Sequence, residues 1–212
     1  MAEPGDIKLA VVTGNHPFEV PPFIQLFRSL DGVDAYVQDL ENFCLDLARV
    51  RDDYDVVLFY NMHREPPDRV IREALETLGD TEQGLLFLHH GILAFRDWPL
   101  WNAIIGIDDR RFAYKPDERV SIEIADPDHP VTRDMAPWSM VDEVYAMVEP
   151  SEGSRVLLTT DHPESLHALA WTRQHKASRV LVLASGHGEE TYTNASFRRL
   201  LARAIAWLAG RL

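Results

Sequence analysis

The 212 residues are 46% apolar and 26% charged, a globular composition that excludes collagen-like, fibrous and wholly disordered chains. Lysine and arginine total 21 against 34 acidic residues, and a formal charge of −13 repels phosphate backbones, which argues against nucleic acid as a partner. The single cysteine, Cys44, rules out an internal disulfide and a cysteine metal cluster, and it fits a reducing, cytoplasmic setting.

The opening Met-Ala-Glu-Pro-Gly-Asp has no positive n-region and no apolar core, so no secretory signal is expected. No run approaches the ~18 apolar residues of a membrane span, so no membrane partner is expected either. Ile7–Gly14 reads as a buried strand ending in glycine. Pro22–Leu30 carries Phe23, Leu26, Phe27 and Leu30 at helical spacing behind a proline pair suited to a helix start. Ala35–Leu40 is a second strand and Asp55–Asn61 a continuous apolar third. Pro67–Leu78 places Val70, Ile71, Ala74, Leu75 and Leu78 on one helix face, and Gly84–His90 is the next strand. This alternation predicts a parallel sheet covered on both faces. Val120–Ala125, Asp142–Val148, Arg155–Thr160 and Ala168–Gln174 are strand-like with little helix between them, which predicts an antiparallel extension. Arg179–Gly186 returns to the buried type, and Phe197, Leu200, Leu201, Ala204, Ile205 and Leu208 define a last helix. With no linker, repeat or low-complexity tract, residues 1–212 read as one α/β domain.

Ligands of open parallel sheets bind beyond the carboxyl ends of the strands. Those ends are polar here: Thr13-Gly14-Asn15-His16, Asn61-Met62-His63, His89-His90-Gly91 and Ser185-Gly186-His187-Gly188. Histidine moves protons at neutral pH and ligates metals, so His16, His63, His89 or His90, and His187 are expected to share one rim. Each ring alone could equally serve a loop hydrogen bond; several on one rim point to a site. His129 sits in an Asp-His-Pro turn and is expected to be structural, His162 in a second such triplet is open, and His167 and His175 are expected to be solvated. Asp142-Glu143 reads as a solvated strand start, unless Glu143 turns inward to act as a base, orient a histidine or complete a two-histidine, one-carboxylate set with His90 and His187. No HExxH spacing supports that metal version, and no GxxxxGK[ST] or GxGxxG phosphate loop occurs. Trp98 and Trp101 could stack on a sugar face, but a packing role is favoured.

Taken in order, these residues resemble the ThuA-like, trehalose-utilisation family. The carriers are Val12-Thr13-Gly14-Asn15-His16-Pro17-Phe18, Leu88-His89-His90-Gly91 with Asp97-Trp98, Asp128-His129-Pro130-Val131-Thr132, Asp142-Glu143-Val144-Tyr145, Asp161-His162-Pro163 with Ala170-Trp171, and Gly186-His187-Gly188 leading to Tyr192-Thr193-Asn194. The resemblance covers nearly the whole chain. It implies a flavodoxin-like, three-layer fold akin to the class I glutamine amidotransferases. Those enzymes set a nucleophilic cysteine at a sharp strand-to-helix turn; here that turn is His89-His90-Gly91, so thioester chemistry has no nucleophile. His187 falls near the place of their triad histidine. Tyr114-Lys115-Pro116 departs from a histidine expected in many relatives.

The resemblance implies work on trehalose or a related keto-disaccharide. His90 and His187 are the expected acid/base partners, with Glu143 and His16 as orienters or further proton carriers. His89, Asn61, His63, Tyr145, Asp161 and His162 are the expected substrate contacts. The partner would be a small carbohydrate, and self-association is compatible with the apolar loops. A divalent metal is only weakly supported. The competing reading is a non-catalytic sugar-sensing or partner-binding module on an amidotransferase-like scaffold.

Overall fold

The computed structural model describes residues 5–45 and 50–212. Chain order runs β1 (Ile7–Gly14), α1 (Val20–Arg28), β2 (Val33–Asp39), α2 (Leu40–Leu45), β3 (Val56–Asn61), α3 (Arg69–Glu76), β4 (Gly84–Leu88), α4 (Pro99–Ile105), β5 (Ala113–Ile124), β6 (Trp138–Ala146), β7 (Arg155–Thr159), β8 (Ala168–His175), β9 (Ser178–Leu183), α5 (Glu189–Thr193) and α6 (Ala195–Leu208). The described strands form one sheet in the order β2-β1-β3-β4-β9-β8-β7-β5-β6. β2, β1, β3, β4 and β9 are parallel neighbours; β9-β8, β8-β7, β7-β5 and β5-β6 are antiparallel.

The central strands have no polar face, because both sides are covered. Their side chains still alternate between two cores, as the two-residue period of a strand requires. Leu9, Val11, Leu58, Tyr60, Leu86, Leu88, Leu181 and Leu183 join Phe23 and Phe27 of α1 and Phe197 and Leu201 of α6 on one face. Ala10, Val12, Val57, Phe59, Leu85, Phe87, Val180 and Val182 join Phe43 of α2, Leu75 of α3 and Trp101 of α4 on the other. The result is helix, sheet, helix, the three-layer α/β arrangement with a mostly parallel sheet and an antiparallel extension. Local signals fix the helix ends. Asp68 accepts from the Ile71 amide to start α3, and Asn194 accepts from Ser196 and Phe197 to start α6.

Some elements depart from expectation, among them β6, which runs Trp138–Ala146 rather than Asp142–Val148. The strand expected to reach His90 stops at Leu88, because His89 takes φ 48° and the chain turns into a 3₁₀ segment, His89–Leu93. β5 begins at Ala113 rather than Val120, because its polar first half pairs along β6 despite lacking an apolar pattern. α4 was not legible from apolar spacing; Pro99 starts it and Gly106, at φ 79°, ends it. Trp98 and Trp101 are buried, and the Trp101 indole N–H donates to the Gly91 carbonyl at 3.0 Å, so both pack rather than face solvent.

Candidate functional site: a histidine cluster beneath an antiparallel hairpin

The loops after β1, β4 and β9 meet at the carboxyl edge of the parallel strands. They bring four imidazoles together: His16 stacks on His90 with ring centroids 4.0 Å apart, His89 lies 5.1 Å from His187, and His16 lies 6.3 Å from His187. The turn after β4 sets two of them facing different ways. His89 occupies a left-handed backbone position, which a non-glycine residue adopts only where its surroundings hold it. Gly91 makes the turn feasible, since a Cβ there would lie 2.2 Å from the Phe59 carbonyl oxygen. Arg110, fully buried, donates to the carbonyls of Ile92, Ala94 and Phe95 and to Asn102, closing off the backbone that follows.

His90 points into the molecule. Its Nε2–H donates to the Tyr60 carbonyl at 2.8 Å, which leaves Nδ1 as a buried lone pair with no partner. Burial, then the neighbouring His89 and His16, push its pKa down to about 2, so the ring is neutral at ordinary pH. Burial likewise lowers the pKa of His16, whose Nδ1 is also buried and unpartnered.

His89 points the other way. Its Nδ1–H donates to the Ala184 carbonyl at 2.8 Å, so Nε2 is the working atom. Nε2 faces the Tyr145 hydroxyl at 2.7 Å, His187 Nδ1 at 3.2 Å and Glu143 Oε1 at 3.3 Å. His187 Nδ1 and Glu143 Oε1 are 3.6 Å apart. Burial works against ionisation of Glu143, but the hydrogen bond and charge of His89, with His187, hold its carboxyl below its ordinary range. Burial and the adjacent Glu143 raise the pKa of the Tyr145 phenol. The inward carboxylate therefore pairs with His89 rather than with His90.

The antiparallel hairpin is bound to the β9 loop through Asp142. One carboxylate oxygen accepts from the Gly186 amide at 2.8 Å, and the other accepts from the amides of His187 at 2.9 Å and Glu143 at 3.0 Å. Asp142 is buried, against the expectation of a solvated strand start. Gly186, at φ 127°, has the Leu88 side chain 2.9 Å from where a Cβ would stand. Behind the loop, the Tyr192 hydroxyl donates to the His187 carbonyl at 2.7 Å and lies 2.6 Å from the Tyr60 hydroxyl. Sequence reasoning did not single out Tyr60 and Arg110; it named Asp142 only as a strand start and within a motif of the resemblance, and Tyr192 only within such a motif, with no role in this region. An acidic residue fourteen positions after Asp128 carries no local mark of its partners.

Of the cluster, His187 and Glu143 line a solvent-open cleft of about 580 Å³, with Pro17, Phe18, Glu19, Asp117, Asp142, Glu189 and Glu190 among its other walls. The His187 side chain, 38% exposed, forms part of its wall. The remaining expected contacts lie elsewhere. Asn61 is fully buried with its Oδ1 unpartnered, and its amide lies 3.3 Å from His63 Nδ1. His63 turns to Glu41 at 3.3 Å and helps line a separate pocket of about 300 Å³ with Asn15, Arg64, Glu65 and Phe95. His162 pairs with Glu118 at 3.2 Å, and Asp161 is 96% exposed beside His167. No contact joins these last three to the cluster among the described residues. His129 is buried in its turn, with Nδ1 accepting from the Val131 amide. His175, expected to be solvated, is half-buried against Gly79, and burial lowers its pKa. Cys44 is buried, and burial pushes its thiol up to about 12, away from nucleophilic use.

A family model named ThuA and described as trehalose utilisation matches residues 16–208. No curated protein sequence matches the chain. Among solved structures, a ThuA-like protein of Parabacteroides merdae ATCC 43184 superposes with a TM-score of 0.76 at 18% identity, covering 96% of this chain and 90% of that one. A GMP synthase component from Thermoplasma acidophilum gives 0.60 at 9% identity, covering 98% and 96%. A β-galactosidase from Rahnella sp. R3 gives 0.60 at 15% identity, covering 93% of this chain and 31% of that one. At these identities the structural likenesses establish the fold. Among the described residues, no helix is long and apolar enough to cross a membrane.

Proposed function

The chain belongs to the ThuA, trehalose-utilisation, family, and on that footing we propose that the histidine cleft performs acid/base chemistry on a disaccharide or its keto derivative, with residues 1–212 acting as one cytoplasmic domain. The observation that carries the reading is the convergence of His16, His89, His90 and His187 with Glu143, of which His187 and Glu143 line one solvent-open cleft. Sugar hydroxyls need a proton taken or supplied when they react, and keto sugars enolise through the same kind of transfer. His187 has the exposure for that exchange, and Glu143 stands beside it as an ionised carboxylate. His89 orients the pair through its bond to the Ala184 carbonyl. His16 and His90 are held neutral behind them, each with a buried, unpartnered Nδ1.

The acidic wall of Glu19, Asp117, Glu189 and Glu190 favours an uncharged sugar over a phosphorylated one. A second reading, the non-catalytic sugar-binding module, is favoured by one feature: the sharp turn after β4 presents His89 and no thiol. Calorimetric titration with trehalose and a keto-disaccharide, paired with mass analysis of the products, separates the readings. Turnover lost at least tenfold in His187→Ala, with the circular dichroism unchanged, supports the enzyme. Saturable binding with the sugar returned intact supports the module, and neither binding nor turnover removes carbohydrate from the cleft.

A further inference from the structure

We propose that His89 Nε2, Glu143 Oε1 and His187 Nδ1 form a binding site for one divalent transition-metal ion of the zinc class. The inference rests on reading the cleft as the working site. The three atoms, all within 4.8 Å of one another, make a triangle with sides of 3.2, 3.3 and 3.6 Å. Zinc bonds of about 2.0–2.1 Å at tetrahedral angles set neighbouring ligand atoms about 3.4 Å apart, so the triangle matches one face of a tetrahedron. The fourth position is left for water or substrate, as in catalytic rather than structural zinc sites.

Proton bookkeeping points the same way. With Nδ1–H of His89 committed to the Ala184 carbonyl, Nε2 faces a carboxylate oxygen, a second imidazole nitrogen and the Tyr145 hydroxyl. A cation at that point would take the place of the proton that these atoms otherwise share. The backing bond is the one that metal-ligating histidines use to fix tautomer and ring angle. The His187 backbone is tied down as well, its amide to Asp142 and its carbonyl to Tyr192. Two imidazoles with one carboxylate suit zinc, iron or cobalt better than magnesium or calcium, which prefer oxygen. The acidic side chains of the cleft raise the local cation concentration. An ion so placed would supply Lewis acidity toward a carbonyl or acidify a bound water.

The test uses the full chain, stripped with chelator, dialysed, and titrated with Zn²⁺ and Co²⁺ alone. One equivalent of Zn²⁺ retained per chain by elemental analysis, with intense visible bands on Co²⁺ addition marking low coordination, is the expected result. His187→Ala and Glu143→Gln should each weaken Zn²⁺ binding at least tenfold, and His167→Ala on the distant exposed loop should leave it unchanged. Should either ligand variant fold poorly, the Co²⁺ spectrum of the unaltered protein still decides. No retained ion, or binding indifferent to both ligand substitutions, overturns the site. Trehalose titrations of stripped and loaded protein keep the two ideas apart. Sugar binding without ion uptake removes the metal alone; ion uptake without any sugar response removes the carbohydrate reading alone.

Discussion

The two halves of the sheet contribute to the cluster in different ways. The parallel half delivers side chains from loops: His16 follows β1, His89 and His90 follow β4, and His187 follows β9. The antiparallel half delivers them from within a strand: Asp142, Glu143 and Tyr145 are consecutive or alternate positions of β6. The first half sets out imidazoles, and the second brings a carboxylate against one of them and clamps the loop that bears another. Neither half makes the site alone. The hairpin is thus a working part of the molecule rather than a decorative extension of the sheet.

Breaking the parallel half at its turn should have the largest effect. Gly91→Ala would drive a Cβ to 2.2 Å from the Phe59 carbonyl, a backbone atom that cannot swing away. The expected loss is about 3 kcal/mol, at the upper end for overpacking. For a chain of this size that lowers the thermal midpoint by about 6–12 °C. Differential scanning calorimetry checks it; an unchanged midpoint would mean that the turn after β4 is not built as described.

Breaking the join between the halves comes next. Asp142→Asn replaces an acceptor-only side chain that receives three backbone amides with one that must present N–H to at least one of them. A loss of about 2–3 kcal/mol is expected, the range for hydrogen bonds to a charged group with a buried donor left over. Urea denaturation should show a lower midpoint with the slope preserved. A variant as stable as the parent would separate β6 from the β9 loop.

These two positions also show what the sequence could and could not reveal. The alternation of Leu9, Ala10, Val11 and Val12 between two cores is a property of any strand buried on both faces, so the parallel half was legible from short apolar runs and their spacing. The imidazoles followed from the same logic, because strand ends in such sheets share one edge. Which of His89 and His90 faces the carboxylate was not legible, since it turns on a single left-handed backbone angle. Asp142 was invisible for a different reason. Its partners lie 44 and 45 positions away, in the loop after β9, and only the tertiary fold brings them to β6. Asp161 and His162 matched the family pattern in sequence, yet the loop after β7 turns Asp161 to the surface beside His167 and leaves His162 half-buried against Glu118.

A gentler effect follows pH and belongs to the parallel half alone. The ordinary histidine value is 6.5, and in the folded protein His90 falls to about 2. Below 6.5 the unfolded chain binds a proton that the folded one refuses, so this contribution is intact above 6.5 and drains away as pH falls toward 2. The slope is at most about 1.4 kcal/mol per pH unit for one group. Chelator-treated protein should therefore lose stability between about pH 6 and 5, and His90→Gln should flatten that limb. An identical slope in the variant would assign the acid sensitivity to other groups.

If imidazoles drawn from three loops serve a single ligand site beneath the hairpin, they must respond to that ligand as one. Long-range ¹H–¹⁵N spectra of the histidine rings during trehalose or keto-disaccharide titration read that response ring by ring. The ring nitrogens of His16, His89, His90 and His187 should move together with one saturation curve, while those of His129 and His175 stay still. Independent curves for the four rings, or shifts confined to His162 and His167, would contradict a shared site.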